Sequence, residues 1–327
     1  MTDSGQFLSP PAEHAGAGGP ALPHFPLMID GQRAEAASGR VYETTDPYRG
    51  QAWATAADAD ARDVDRAVAA ARRALSGPWG QLTGFGRARL LRRLGDIIAR
   101  DADYLAGLET RDTGKLLREM RGQLAAIPEW FYYFAGLADK LEGAAIPSDK
   151  PNFLVYTRRE PAGVVALAAH PGVDKIAFTG STTVGGQIAK AAAENITGVL
   201  LELGGKSAHL VFGDADLDAV TNGVVAGVFA AAGQTCMAGS RLLVERGVHD
   251  QLVAKIVARA QVIKLGDPAA ADTEMGPLAN EAQYRKVLSF FAAAASEGAT
   301  VAAGAKPAAE LGGYFVRPTV LTNVKPE

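Results

Sequence analysis

The sequence predicts an α/β protein with a largely parallel sheet. Two observations carry this. From residue 173 onward, short apolar runs alternate with helical stretches, the pattern in which each helix returns the chain to the same end of a sheet. The 327 residues, 48% of them apolar, also exceed one average domain and suffice for real cores.

Taken in order, residues 1–24 are rich in Gly, Pro, Ala and His without periodicity, and are expected to be a disordered tail. Residues 28–57 read as short strands and turns, with turn signals at Asp30-Gly31 and Asp46-Pro47. Helical periodicity follows. Val64, Val68, Ala71 and Leu75 share one face, and Leu90, Leu91, Leu94, Ile97 and Ile98 do so more strongly. A third helix is expected from about Lys115 to Leu141, stopped at Gly143 and bent or interrupted at Pro128. The runs Phe153–Thr157 and Gly163–Leu167 flank Pro161-Ala162 like a hairpin. Strand Val173–Phe178, the glycine-bearing turn Gly180–Gly186 and helix Gln187–Asn195 open the α/β part. Strands Val199–Leu203 and Ala208–Phe212 come next, and then a helix from the Asp214/Asp216 caps to about Ala232. Strand Arg241–Glu245, helices Asp250–Val262 and Asn280–Glu297 and strand Thr300–Ala302 complete the pattern, with no fixed-period repeat.

Several function classes drop out. Net charge is −3 with both signs interspersed, so no nucleic-acid partner is implied. The longest apolar stretches reach about half of the ~20 residues that a membrane-spanning helix needs. Met1-Thr2-Asp3 opens no signal peptide. One cysteine allows no internal disulfide framework and no cysteine-based zinc site, which fits a reducing cytoplasm. The five histidines show no ligand spacing, so no metal site is expected.

Three stretches could carry chemistry. Cys236 sits among small residues in Gly233–Arg241, between a helix end and a strand, where α/β sites lie. It is either a small buried hydrophobe or a nucleophile for carbonyl carbon with a proton acceptor close by. Glu202, in Leu201-Glu202-Leu203-Gly204-Gly205-Lys206, ends an apolar strand. It reads either as a buried ion pair with Lys206 or as a general base whose pKa desolvation pushes up. The turn Gly180-Ser181-Thr182-Thr183-Val184-Gly185 opens a helix. It reads as a phosphate-holding helix start or as a plain capped turn, since the full G-x-G-x-x-G pattern is absent.

In combination these stretches say more. Val173–Ser181, Leu201–Lys206 and Gly233–Arg241 resemble, in that order, signature segments of the aldehyde dehydrogenase superfamily, and the 34-residue separation of Glu202 from Cys236 is also similar. Glu109–Lys115 and Phe134–Lys140 resemble that family's N-terminal helical region, so the likeness covers about residues 27–327. It implies oxidation of an aldehyde to a carboxylic acid with NAD or NADP. Cys236 would be the nucleophile, passing through a thiohemiacetal and a thioester, and its backbone N–H one oxyanion donor. Glu202 would activate the hydrolytic water, and Gly180, Ser181, Thr182, Thr183, Val184 and Gly185 would lie on the pyrophosphate. A homo-oligomer is also implied.

Two departures from the family pattern stand out. After Arg159–Leu167 the text jumps to Ala169-His170-Pro171-Gly172-Val173-Asp174, where full-length members carry several dozen residues. Those include a Pro-Trp-Asn segment with the second oxyanion donor and a Lys-Pro-Ser/Thr-Glu segment on the adenosine ribose. The text also stops at Asn323–Glu327, before the family's Glu-Glu-Ile-Phe-Gly-Pro segment. The resemblance therefore implies an incomplete aldehyde dehydrogenase fold. Residues 1–24 are the tail, 25–147 the helical part of the cofactor domain, and 148–167 a β-hairpin oligomerisation element with the entry strand. Residues 168–205 are the remainder of a truncated Rossmann-like sheet, its first strand–helix units largely gone, and 206–327 part of the α/β catalytic domain. Thiol and base are expected to survive with a weakened grip on NAD(P). The competing expectations are a non-catalytic remnant and a residual thiol esterase, which needs Cys236 and Glu202 but no hydride acceptor.

Overall fold

The computed structural model describes residues 22–166 and 168–325, together with a two-residue strand at Glu13–His14. Most of the expected tail lies outside the described residues. Its described part is ordered. Glu13–His14 (β1) pairs antiparallel with Leu22–Phe25 (β2), and His24 is buried, its ring bonded to Thr55 and Glu35. Leu27–Ile29 (β3) and Gln32–Ala34 (β4) form a hairpin. Asp30 and Gly31 turn it with φ of 55° and 72°, the left-handed pair that a tight hairpin asks for. Val41–Asp46 (β5) and Gln51–Ala57 (β6) pair antiparallel across Asp46-Pro47, giving a sheet of order β1-β2-β6-β5.

Four helices follow. Ala61–Ser76 (α1) opens on Asp60 and Asp63, which bond reciprocally as a capping box. Gly84–Arg100 (α2), Ala102–Thr113 (α3) and Leu117–Leu137 (α4) come next. The long helix departs from expectation at two points. It runs unbroken through Pro128, which is buried, and it ends at Leu137 rather than at Gly143. A proline inside a helix costs about 3 kcal/mol. Here packing on α2 offsets it: Tyr132 lies on Gly95, where a Cβ would fall 2.6 Å from the ring, and bonds Asp96 at 2.8 Å.

The expected hairpin around Pro161-Ala162 does not form. Val155–Tyr156 (β8) pairs instead with the upstream Ala145–Ile146 (β7). Val165–Ala166 (β9) runs parallel to Lys175–Gly180 (β10), with Val165 opposite Lys175. The reason is local. The carbonyl of Val164 accepts the N–H groups of Asp174 and Lys175, and its N–H donates to the Asp174 carboxylate at 2.7 Å, so the segment is committed to the parallel sheet. Thr182–Glu194 (α5) and Gly198–Leu203 (β11) complete this unit, whose order is β11-β10-β9. The sheet expected to be truncated after Leu167 thus keeps Val165–Ala166 as its edge strand.

Only residues 167–174 join β9 to β10, and Leu167 lies outside the described residues. Parallel neighbours ordinarily need a connection of a dozen or more residues. Eight suffice because β9 pairs over two residues alone. On that flank Ala177–Gly180 meet no further strand among the described residues, whereas β11 pairs with all six residues of β10. Helix α1 holds the connection down. His170 Nε2 meets Asp65 at 2.8 Å. Arg72 donates to Gly172 O at 2.7 Å and pairs with Asp174 at 2.8 Å. Val173 is buried there with Val68, Val164, Ile176 and Ala192.

The remaining elements are Ala208–Val211 (β12), Leu217–Phe229 (α6), Arg241–Val244 (β13), His249–Val262 (α7), Glu281–Ser296 (α8), Thr300–Ala303 (β14) and Val320–Thr322 (β15). Strands β12 and β13 pair parallel, β14 and β15 antiparallel. Val211, Val224, Leu252 and Ile256 form the core where α6 and α7 cover β12. No helix among the described residues is long and apolar enough to cross a membrane.

Candidate active site

The candidate site lies where the carboxyl end of β11 meets the loop before β13. Strand β11 carries Glu202, directly opposite Thr179 of β10. Successive strand side chains point to opposite faces. Leu203 turns toward α5, where a Cβ on Gly185 would fall 2.7 Å from its Cδ2. Glu202 therefore faces away from α5, and it is exposed. The burial expected from its apolar neighbours is absent. So is the ion pair with Lys206, whose Nζ donates to Gly205 O at 3.1 Å.

After Glu202 the chain passes through Gly204 and Gly205. A Cβ on Gly205 would stand 3.6 Å from the Cys236 carbonyl oxygen, so the two stretches named from the sequence do meet in space. Arg241 ties them further, its N–H bonding Ser207 O at 3.2 Å and its Nε bonding Lys206 O at 2.9 Å. Cys236 is a free, exposed thiol. It is not the small buried hydrophobe that a lone cysteine often is.

The glycine-bearing turn stands at the start of α5. Ser181 is its N-cap, with Oγ accepting the Val184 N–H at 3.3 Å. Ser181, Thr182, Thr183 and Val184 are exposed and Gly185 is buried against β11. With the Val184 N–H taken by the cap, Thr182 and Thr183, both exposed, stand at the positive end of a 13-residue helix. That arrangement suits an anion.

A family comparison decides the assignment. The sequence model of the aldehyde dehydrogenase family matches residues 34–169 and 165–327. The chain belongs to that family. The two matches overlap at residues 165–169, across β9 and the start of the short connection that follows it. Aldehyde dehydrogenase family 2 member C4 of Arabidopsis thaliana is 35% identical, over 93% of this chain and 75% of its own length. That match extends over 378 aligned positions, more than the 327 residues here, so the relative carries residues with no counterpart in this chain. An aldehyde dehydrogenase from Bacillus cereus superposes with a TM-score of 0.89 at 34% identity, over 92% of this chain and 75% of the other. A betaine aldehyde dehydrogenase from Staphylococcus aureus, solved with NAD+, gives 0.89 at 32%, over 91% and 73%. The α/β fold is that of the family, and it is incomplete.

Sequence reasoning passed over one residue of this site. Gln234 sits within the cysteine segment, and its side chain bonds Ala231 O at 3.0 Å and the Ala279 N–H at 3.0 Å. Its signal was an amide amid Ala, Gly and Thr, a residue type that is seldom idle once partly buried.

Proposed function

We propose that this aldehyde dehydrogenase retains the thiol-and-carboxylate half of its family's reaction and holds NAD or NADP weakly. The observation that carries the reading is the meeting of Gly205, three residues past Glu202, with Cys236. The Cys236 thiolate would attack a carbonyl carbon, forming a C–S bond and pushing the π electrons onto oxygen. With an ester, collapse of that adduct expels the alkoxide and leaves a thioester. Glu202 then takes a proton from the water that hydrolyses it, releasing the acid and the thiol. With an aldehyde, attack gives a thiohemiacetal. A nicotinamide dinucleotide, when bound, supplies the hydride acceptor.

Residues Gly180–Gly185 and the α5 N–H groups fit its pyrophosphate. The adenosine side is different, because β9 is the sheet edge and no described strand stands beyond it. Lost positioning contacts weaken both binding and hydride transfer. The substrate class is a small-molecule aldehyde. The exposed thiol suits a reducing compartment such as the cytoplasm. The β7–β8 arm, with Phe153, Leu154 and Tyr156 exposed, is the element we assign to contact with a second copy.

The test supplies purified protein with an aldehyde and NAD or NADP and follows the reduced cofactor by absorbance. A parallel assay follows p-nitrophenyl acetate. The expected result is ester cleavage that disappears in Cys236→Ala, with little or no cofactor reduction. Absence of ester cleavage overturns the thiol reading. Tight, stoichiometric NAD or NADP binding by calorimetry overturns the weak grip.

A further inference from the structure

The chain reaches Cys236 through an unusual turn. After α6, Ala231, Ala232 and Gly233 all take positive φ, at 47°, 54° and 76°. Glycine does so freely, but an L-residue with a Cβ does not, and two consecutive alanines in that region are strained. Such strain persists only where the surroundings over-determine it.

Gln234 restrains the turn from its carbonyl side, beside the Glu119 carboxyl, which accepts the Ala231 N–H. Its backbone N–H donates to Ala231 O at 3.1 Å, and its Nε2 donates to the same oxygen at 3.0 Å. Its Oε1 accepts the Ala279 N–H at 3.0 Å. The far anchor is rigid. Met275 and Leu278 are buried, Leu278 N–H bonds Tyr314 O at 2.9 Å, and Gly276 lies so near Gly114 that a Cβ would fall 2.2 Å from its carbonyl oxygen. Gln234 therefore spans from a fixed wall to a strained turn, two residues before the thiol.

We propose that Gln234 is a positioning residue whose carboxamide locks the Ala231–Gly233 turn against Ala279 and so sets where Cys236 stands. This rests on the reading of Cys236 as the nucleophile. A packing role alone would make Gln234 matter for stability only. A lock on a strained turn predicts something else: relief of the strain compensates loss of the lock. Glycine at 232 holds the left-handed conformation without a Cβ, so it keeps the turn in place when the amide is gone.

The experiment compares wild type, Gln234→Ala, Gln234→Glu and the double variant Gln234→Ala with Ala232→Gly. The readouts are the iodoacetamide alkylation rate of Cys236 by mass spectrometry, kcat and KM for p-nitrophenyl acetate, and Tm. For Gln234→Ala we expect alkylation at least threefold slower and kcat at least tenfold lower, with KM within twofold. Gln234→Glu keeps the acceptor for Ala279 but sets an oxygen against Ala231 O, so it loses the link to the turn and slows alkylation at least threefold, as Gln234→Ala does. Adding Ala232→Gly to Gln234→Ala recovers at least threefold. Alkylation unchanged within twofold in Gln234→Ala overturns the proposal, as does failure of Ala232→Gly to restore it. Should Gln234→Ala not fold, Ala232→Gly alone decides: a higher Tm supports the strained turn, and an equal or lower one overturns it. If wild type cleaves no ester, the nucleophile reading falls, and the alkylation rates still judge the lock.

Discussion

Replacing Val173 with alanine tests whether the short connection after β9 is truly packed. Val173 is 3% exposed and touches a core of Val68, Val164, Ile176 and Ala192. The change deletes two buried methyl-type carbons. At about 0.8 kcal/mol each, plus the cavity left behind, the loss is about 2–3 kcal/mol. Val165, 55% exposed on the neighbouring strand, is the control, and its alanine variant should stay within about 0.5 kcal/mol. Urea unfolding at matched slope measures both. In a thermal scan the Val173 variant should melt about 4–12 °C lower, at the roughly 2–4 °C per kcal/mol typical of domains of about 150–250 residues. Equal, small effects at both positions would refute the reasoning. They would mean that residues 167–174 hang free and that β9 is not held against β10.

Three further outcomes follow from the same geometry. Gly276→Ala should cost about 1–3 kcal/mol in urea unfolding, because its new Cβ meets the backbone oxygen of Gly114 at 2.2 Å, not a side-chain end that can yield. Glu202→Gln should slow the hydrolysis of the acyl-enzyme about 10²–10⁴-fold. The expected trace is a burst of about one p-nitrophenol per thiol followed by a slow phase, and an unchanged steady rate would count against Glu202. Burial raises the Glu119 carboxyl above its ordinary value, with Arg118, the Ala231 N–H and Lys115 acting the other way. A raised folded-state value means that the ionised form burdens the fold, a burden that fades as pH falls through that value. Glu119→Gln should therefore raise Tm relative to wild type at pH 7, with the gain shrinking toward pH 4. A gain that grew on acidification would reverse the sign.

Much of the site could be read from the chain text because its signals are local. Gly205, in the Gly204-Gly205 pair after Glu202, lies against the Cys236 backbone in space. Strand and helix existence was also readable wherever periodicity ran for several residues, as in β11 and α7. The misreadings have physical causes. The Phe153 run found its partner upstream because a two-residue pairing leaves no period-2 trace. Pro128 was overridden by Tyr132 packing on Gly95. Glu202 was taken as buried from the company of Leu201 and Leu203, although strand alternation turns it to the opposite face. Gln234 gave little warning, since the turn it restrains consists of alanines, whose composition advertises a helix and not a left-handed bend.

The eight-residue link between β9 and β10 also bears on how the chain folds. A parallel pair normally forms late, because a whole crossover must close before any contact rewards it. Here Val165 meets Lys175 only ten positions along the chain, as near as the two arms of a hairpin. The entropic cost of closing a loop falls by about 0.6 kcal/mol for each halving of its length. The sheet edge that the shorter text leaves bare is thus also the part of the sheet with the fastest route to assembly. Folding rates should respond to substitutions at Val173 and Ile176 before they respond to those in β12 and β13.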